Sequence, residues 1–213
     1  MDKKYTDLIK ERPELFTNLS GGIEILTDPA LIEQMEREYG TTVGIVYEDE
    51  YLTLIKDAAR FADGIVGPYI RAYHKTSGGV SVMVLCKDKL LLLKHFRHSL
   101  RRWMWETPRG FGEEGQSTEQ NALRELYEEL GVEPTEMIRL GTLTPDAGII
   151  GEDVTLYLAR ISPESPIVTE VHEGIERVAL FTKEQLKEAI LRGEITDGIT
   201  VASLTYAELL GLI

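Results

Sequence analysis

The sequence predicts an α+β fold, with helices packed on a mixed β-sheet, preceded by an N-terminal extension that is first helical and then β-rich. Three observations point there. Of the 213 residues 43% are hydrophobic, too many for a disordered chain, and the length is ample for a sizeable core. Short β-like runs and amphipathic helical stretches follow one another without the regular βαβ alternation of a parallel sheet. A strand pair at residues 80–96 then leads through a glycine-rich loop into a helix. The expected division is residues 1–77 for the extension and 78–213 for the main domain.

Residues 1–40 are polar and helical in pattern. Asp28 and Pro29 precede a periodic run that stops at Tyr39-Gly40, giving an N-cap aspartate, proline at the first helical position and a terminating glycine. Between Thr41 and Tyr73 the pattern changes to short β runs, at residues 42–47 and 51–55. Gly78-Gly79 opens the strongest strand, residues 80–86, which the charged turn Lys87-Asp88-Lys89 joins to residues 90–96 as a hairpin. Cys86 is read as a buried, inert thiol in mid-strand. Helices follow at residues 117–130, 182–191 and 200–210, with a strand at 154–159. Ser117 and Gln120 form a capping-box pattern, and Gly131 is placed to stop that helix.

Charge excludes some partners. With 23 basic and 36 acidic residues the formal charge is −13, which argues against nucleic acid and against an anionic membrane surface. No apolar run reaches the roughly 18 to 20 residues of a membrane span. A single cysteine rules out an internal disulfide framework, and the N-terminal residues carry no apolar signal segment, so the expected location is cytoplasmic. The acidity is uneven. Residues 87–109 hold seven basic residues against two acidic ones, whereas residues 110–132 hold six acidic residues against Arg124.

That second stretch carries the chemistry. At about 100° per residue, Leu123, Leu126 and Leu130 fall on one side of the helix. Glu125, Glu128 and Glu129 fall together on the other, at i, i+3 and i+4. Neighbouring like charges at this spacing cost a few tenths of a kcal/mol per pair, and Arg124, four residues before Glu128, relieves only part of that. The plain alternative is a solvated acidic face. Glycines 110, 112 and 115 favour the sharper reading, because they let backbone approach a ligand closely. Converging carboxylates are what a hard ion such as Mg²⁺ prefers, alongside substrate phosphates.

Residues 110–132 resemble the Nudix box, G-x5-E-x7-R-E-U-x-E-E-x-G-U with U aliphatic. Gly110, Arg124-Glu125-Leu126, Glu128-Glu129 and Gly131-Val132 match in register, while Gln116 stands where the pattern has glutamate. Gln keeps hydrogen-bonding reach but loses the charge, so weaker metal binding or a shifted metal preference is expected, with Glu113 or Glu114 leaning in to compensate. The likeness extends to the ADP-ribose pyrophosphatase group. It is carried by residues 91–97, by Trp105-Glu106-Thr107-Pro108-Arg109-Gly110, by Leu143-Thr144-Pro145-Asp146-Ala147-Gly148 with the strand after it, and by Gly193-Glu194-Ile195-Thr196-Asp197. It is good from residue 78 to 213 and weak before that.

The resemblance implies a Nudix fold, a mixed sheet between helices (α/β/α), and hydrolysis of ADP-ribose or a related nucleoside diphosphate sugar to a nucleoside monophosphate and a sugar phosphate. It implies Mg²⁺, with Mn²⁺ as a substitute, held by Glu125, Glu128, Glu129 and the main-chain carbonyl of Arg109, and a homodimer built through the extension. Glu173 is the expected base beside the catalytic Glu125 and Glu129, with Glu170 second and His172 a further option. Arg97, Glu106 and Arg109 form the expected substrate-binding set. For Arg97 the alternative is a surface ion pair, and for Glu106 a pairing with a nearby arginine. Trp103 and Trp105 are read as core packing rather than base stacking, Arg101 and Arg102 as residues of a solvated loop, and residues 145–148 as a substrate-side element or only a turn. Two other readings stay open: a relative acting on another dinucleotide such as NADH, and a sensor that binds ADP-ribose without cleaving it.

Overall fold

A computed structural model describes residues 3–76, 78–113, 115–168 and 174–213. The chain divides into two compact units, Met1–Lys75 with Asp146–Gly151, and Thr76–Pro145 with Glu152–Ile213.

The first unit holds α1 (Lys3–Glu11), a 3-10 turn (Pro13–Phe16), β1 (Glu24–Leu26), α2 (Pro29–Tyr39), β2 (Gly44–Glu48), β3 (Leu52–Arg60) and β4 (Val66–His74). Helix α2 begins and ends where its sequence signals stand. The Asp28 carboxylate accepts from the N–H groups of Ala30 and Leu31, and Gly40 closes the helix at φ 61°, a left-handed conformation that glycine adopts without strain. Strand β3 is the spine, paired antiparallel with β1, β2 and β4. Tyr5, Ile32, Met35 and Ile55 fill the core against it. The buried Asp57 carboxylate is held by the Tyr5 hydroxyl at 2.5 Å and by Arg71 Nε at 2.6 Å.

The second unit holds β5 (Gly79–Cys86), β6 (Lys89–Arg97), β7 (Arg102–Glu106), β8 (Arg109–Phe111), α3 (Thr118–Leu130), β9 (Glu136–Leu143), β10 (Val154–Ile161), β11 (Ile175–Phe181), α4 (Lys183–Leu191) and α5 (Gly198–Leu209). Its sheet runs β11-β6-β5-β10-β9, with β7 added on β6 and β8 on β5. The β5–β10 pair is parallel and the others antiparallel, so the sheet is mixed as expected. Strand alternation sends Val80, Val82, Val84, Leu91 and Leu93 to one face, where Ala122, Leu126 and Leu130 of α3 cover them. Met83, Leu85, Leu90 and Leu92 go to the other, under Leu186 of α4 and Leu204 of α5. This is the expected α/β/α layering. Leu126 and Leu130 are fully buried, and truncating either to alanine would cost about 2–5 kcal/mol.

Several boundaries differ from the sequence reading. Leu123 is 38% exposed and Ala122 takes its place in the core, because the buried stripe of α3 is rotated toward the carboxylates. Cys86 ends β5 and is half-buried, beyond the strand's apolar run. The hairpin turn is tighter, with Lys89 already in β6 and Lys87 at φ 56°. Arg102 opens β7 rather than lying in a loop. Helix α5 starts at Gly198, since Asp197, not a residue nearer Thr200, caps it. Strand β1, inside the stretch read as helical, was not expected, nor were β7, β8, β9 and β11. Strands β7 and β8 are short, and Pro108 parts them; β9 and β11 are half-exposed, and their apolar residues do not alternate strictly with polar ones.

Candidate active site

The geometry begins at the N-terminus of α3. The Ser117 side chain accepts from Gln120 N–H while the Gln120 side chain accepts from Ser117 N–H, the expected capping box. With the helix start fixed, Glu125 and Glu129 lie one turn apart on one face and are buried, at 7% and 2% exposure. They are not on a solvated face. What faces them is β8, whose backbone meets the helix side chains. Arg109 N–H donates to Glu129 Oε2 at 3.1 Å. A Cβ on Gly110 would fall 2.1 Å from the Glu125 carboxyl carbon, so residue 110 must be glycine for strand and carboxylate to approach as they do. Phe111 C=O accepts from Arg124 Nη2 at 2.8 Å. Three consecutive β8 residues thus meet three residues of α3.

Arg124 does more than its spacing suggested. Its Nη2 donates to Glu125 Oε1 at 2.7 Å and its Nη1 to Glu128 Oε2 at 2.6 Å. Burial acts to lower its pKa, but the charges of Glu125, Glu128 and Glu113 outweigh that and hold it above the ordinary arginine value.

A second constellation lies at the ends of β6, β7 and β8. Glu106 is fully buried. Its Oε2 accepts from Arg97 Nε at 2.9 Å and from Arg109 Nη2 at 3.0 Å. Its Oε1 lies 2.6 Å from Arg97 Nη2 and 2.9 Å from His95 Nδ1. Burial is the strongest influence on Glu106 and pushes its pKa up; the His95 contact and the Arg109 and Arg97 charges together prevail and hold it below the usual carboxylate range. Arg109 Nη1 reaches Asp197 Oδ1 at 2.9 Å, and Asp197 Oδ2 accepts from both the N–H (2.9 Å) and hydroxyl (2.7 Å) of Thr200. Thr200 Oγ1 in turn accepts from Thr107 N–H at 3.0 Å, and Thr107 Oγ1 lies 2.8 Å from Ser81 Oγ. Both arginine charges are thereby balanced inside the protein. A cleft of about 280 Å³ opens beside this network, lined by Arg109, Leu143, Pro145, Asp197, Gly198 and Ile199.

The structure therefore brings Glu125 and Glu129 together with Arg109, and Arg97 with Glu106 and Arg109. Glu106 offers no surface to a ligand; it pairs with arginines. Trp105 packs on Phe181 in the α4/α5 core, while Trp103 packs edge-on to Phe96 and is 46% exposed. Arg101 sits in the β6–β7 turn at φ 54°. Residues 146–151 cluster with the first unit, where Ile150 bridges to Ala72. Glu170, His172, Glu173 and Glu114 lie outside the described residues. His95 and Asp197 were not anticipated as site residues. Alternation along β6 places His95 on the same face as Arg97, and Asp197 stands as an N-cap residue ahead of α5; both signals were present.

Among the described residues, no three acidic, histidine or cysteine side chains are grouped so as to hold a metal ion as they stand. The donor chemistry fits a hard divalent cation all the same. The donors are carboxylate oxygens, two of them buried on one helix face, and Gly110 leaves no side chain between them and the β8 backbone.

Residues 75–201 match the NUDIX domain family. The chain is 29% identical over 144 residues to an ADP-ribose pyrophosphatase of Bacillus subtilis (strain 168), spanning 65% of this chain and 76% of that protein. It is also 29% identical over 135 residues to a methanol dehydrogenase activator of Bacillus methanolicus, spanning 62% and 72%. Among solved structures it resembles that of an ADP compounds hydrolase, with a TM-score of 0.63 and 18% identity over 79% of this chain and 91% of that one, a likeness of fold.

Proposed function

This chain belongs to the Nudix family and is a pyrophosphohydrolase of it, and from that premise we propose that it splits the pyrophosphate bond of ADP-ribose, or of a closely related nucleoside diphosphate sugar, in a Mg²⁺-dependent reaction. The observation that carries the reading is the pair of buried carboxylates, Glu125 and Glu129, pressed against the glycine strand β8. Likeness to an ADP-ribose pyrophosphatase supports the choice of substrate.

In this reading Glu125, Glu128, Glu129 and the Arg109 carbonyl hold the ion, with Mn²⁺ able to replace Mg²⁺. When bound, the ion neutralises charge developing on the pyrophosphate oxygens and acidifies water. Arg109 serves twice: its side chain, clamped between Glu106 and Asp197, fixes the backbone whose N–H already meets Glu129. Arg109, which lines the cleft, and Arg97, which shares Glu106 with it, serve as the cations for the phosphates. Glu173 removes the proton from the attacking water, with Glu170 as the second choice. The protein acts in the cytoplasm, and no described helix is long and apolar enough to cross a membrane. It works as a homodimer through residues 1–77.

A panel assay decides the substrate. ADP-ribose, other nucleoside diphosphate sugars and NADH are incubated with enzyme and Mg²⁺ or Mn²⁺, and products are separated by chromatography. Fastest release of AMP and ribose 5-phosphate from ADP-ribose supports the proposal; preferential cleavage of NADH moves the assignment to another dinucleotide.

A further inference from the structure

We propose that Glu113 is a positioning residue of the carboxylate helix: acting through Arg124, it supplies the negative charge that Gln116 lacks and so sets where Glu125 and Glu128 point. The inference rests on the metal-dependent reading above. Gln116 Nε2 donates to Glu113 Oε2. The other oxygen, Oε1, faces Arg124 Nε at 3.6 Å, and that Nε is buried with no hydrogen bond of its own. The remaining Arg124 donors are engaged: Nη1 with Glu128, and Nη2 with Glu125 and the Phe111 carbonyl. A guanidinium is planar and rigid, so a charge that turns its Nε edge turns both Nη groups, and with them the two carboxylates they grip.

The loop is built to hold Glu113 there. Its N–H donates to the side chain of buried Asn121 at 3.1 Å, and its C=O accepts from Gln116 N–H at 3.3 Å. Gln and Glu at positions 116 and 113 suit each other, because an amide can donate to a carboxylate. A second carboxylate at 116 would instead set two acids within hydrogen-bonding distance. Glu113 carries its charge three residues before position 116, and Gln116 braces it.

Two readouts test this. The first is the ¹⁵N NMR signal of Arg124 Nε–H in metal-free protein, assigned by its loss in Arg124→Lys. The second is Mn²⁺ affinity measured by electron paramagnetic resonance without substrate. Glu113→Gln should shift the Arg124 signal, speed its exchange with water, and weaken Mn²⁺ binding by about tenfold. The double variant E113Q/Q116E returns the charge three residues away and should restore both. An Arg124 signal indifferent to Glu113→Gln, or no recovery in the double variant, overturns the inference. If the wild type binds no Mn²⁺ while its Arg124 signal responds as expected, the metal reading falls and the positioning role stands. If Mn²⁺ binds and the signal does not respond, the positioning role falls alone. Both positions lie in a surface loop, and unchanged thermal unfolding verifies that each variant is folded.

Discussion

Glu129 sits in a nearly closed site, where Arg109 N–H supplies its carboxylate with a hydrogen bond in place of water. Glu129→Gln keeps shape and volume and removes the charge. Turnover should fall by about a hundredfold or more, while the circular dichroism spectrum and unfolding midpoint stay near those of the wild type. Gly110→Ala attacks the same site from the strand. Its methyl group would lie 2.1 Å from the Glu125 carboxyl carbon, so either Glu125 or β8 must move. A loss of about 1–3 kcal/mol in urea unfolding is expected, together with loss of activity. These residues were legible in the sequence, since spacing alone places Glu125, Glu128 and Glu129 on one side of α3. Their burial was not. Whether an acidic face meets solvent or a glycine strand depends on β8, three residues long and too short to leave a periodic pattern. The candidate bases at 170 and 173 rest on the family resemblance alone, because no local pattern fixes their register.

Among the elements, the hairpin β5–β6 and the helices α2, α3 and α4 announce themselves through apolar runs and capping residues, and each forms about where expected. The joint between β6, β7, β8 and α5 does not. It depends on contacts between residues far apart in sequence, such as Arg109 with Asp197 and Thr107 with Thr200. Glu106 is its hub, so Glu106→Gln leaves Arg97 and Arg109 without their shared counter-charge and should cost about 3–5 kcal/mol by urea unfolding at neutral pH. The pH dependence follows from the direction of its pKa. Because the folded value lies below the ordinary 4.5, ionised Glu106 stabilises the fold above that pH, and the stabilisation is lost as pH falls through the folded value. The gap between wild type and Glu106→Gln should therefore be widest near neutrality and narrow below pH 4.5. A gap independent of pH would show that the hub contributes through shape rather than charge.

At the scale of the whole molecule, the charge of −13 conceals a reversal: a cationic stretch, residues 87–109, runs directly into an anionic one, residues 110–132. In the fold the two meet, with β8 laid on α3 so that Arg109 touches Glu129 while its side chain joins Glu106 and Asp197. A site that brings both signs together suits a substrate that is itself anionic and bridged by a cation. The direct test is incubation of ADP-ribose with the purified protein and Mg²⁺, with and without a chelator, followed by mass-spectrometric identification of the products. The account predicts AMP and ribose 5-phosphate in equal amounts, formed only while the metal is available. Undiminished hydrolysis in excess chelator, or tight ADP-ribose binding with no cleavage under either Mg²⁺ or Mn²⁺, would contradict it.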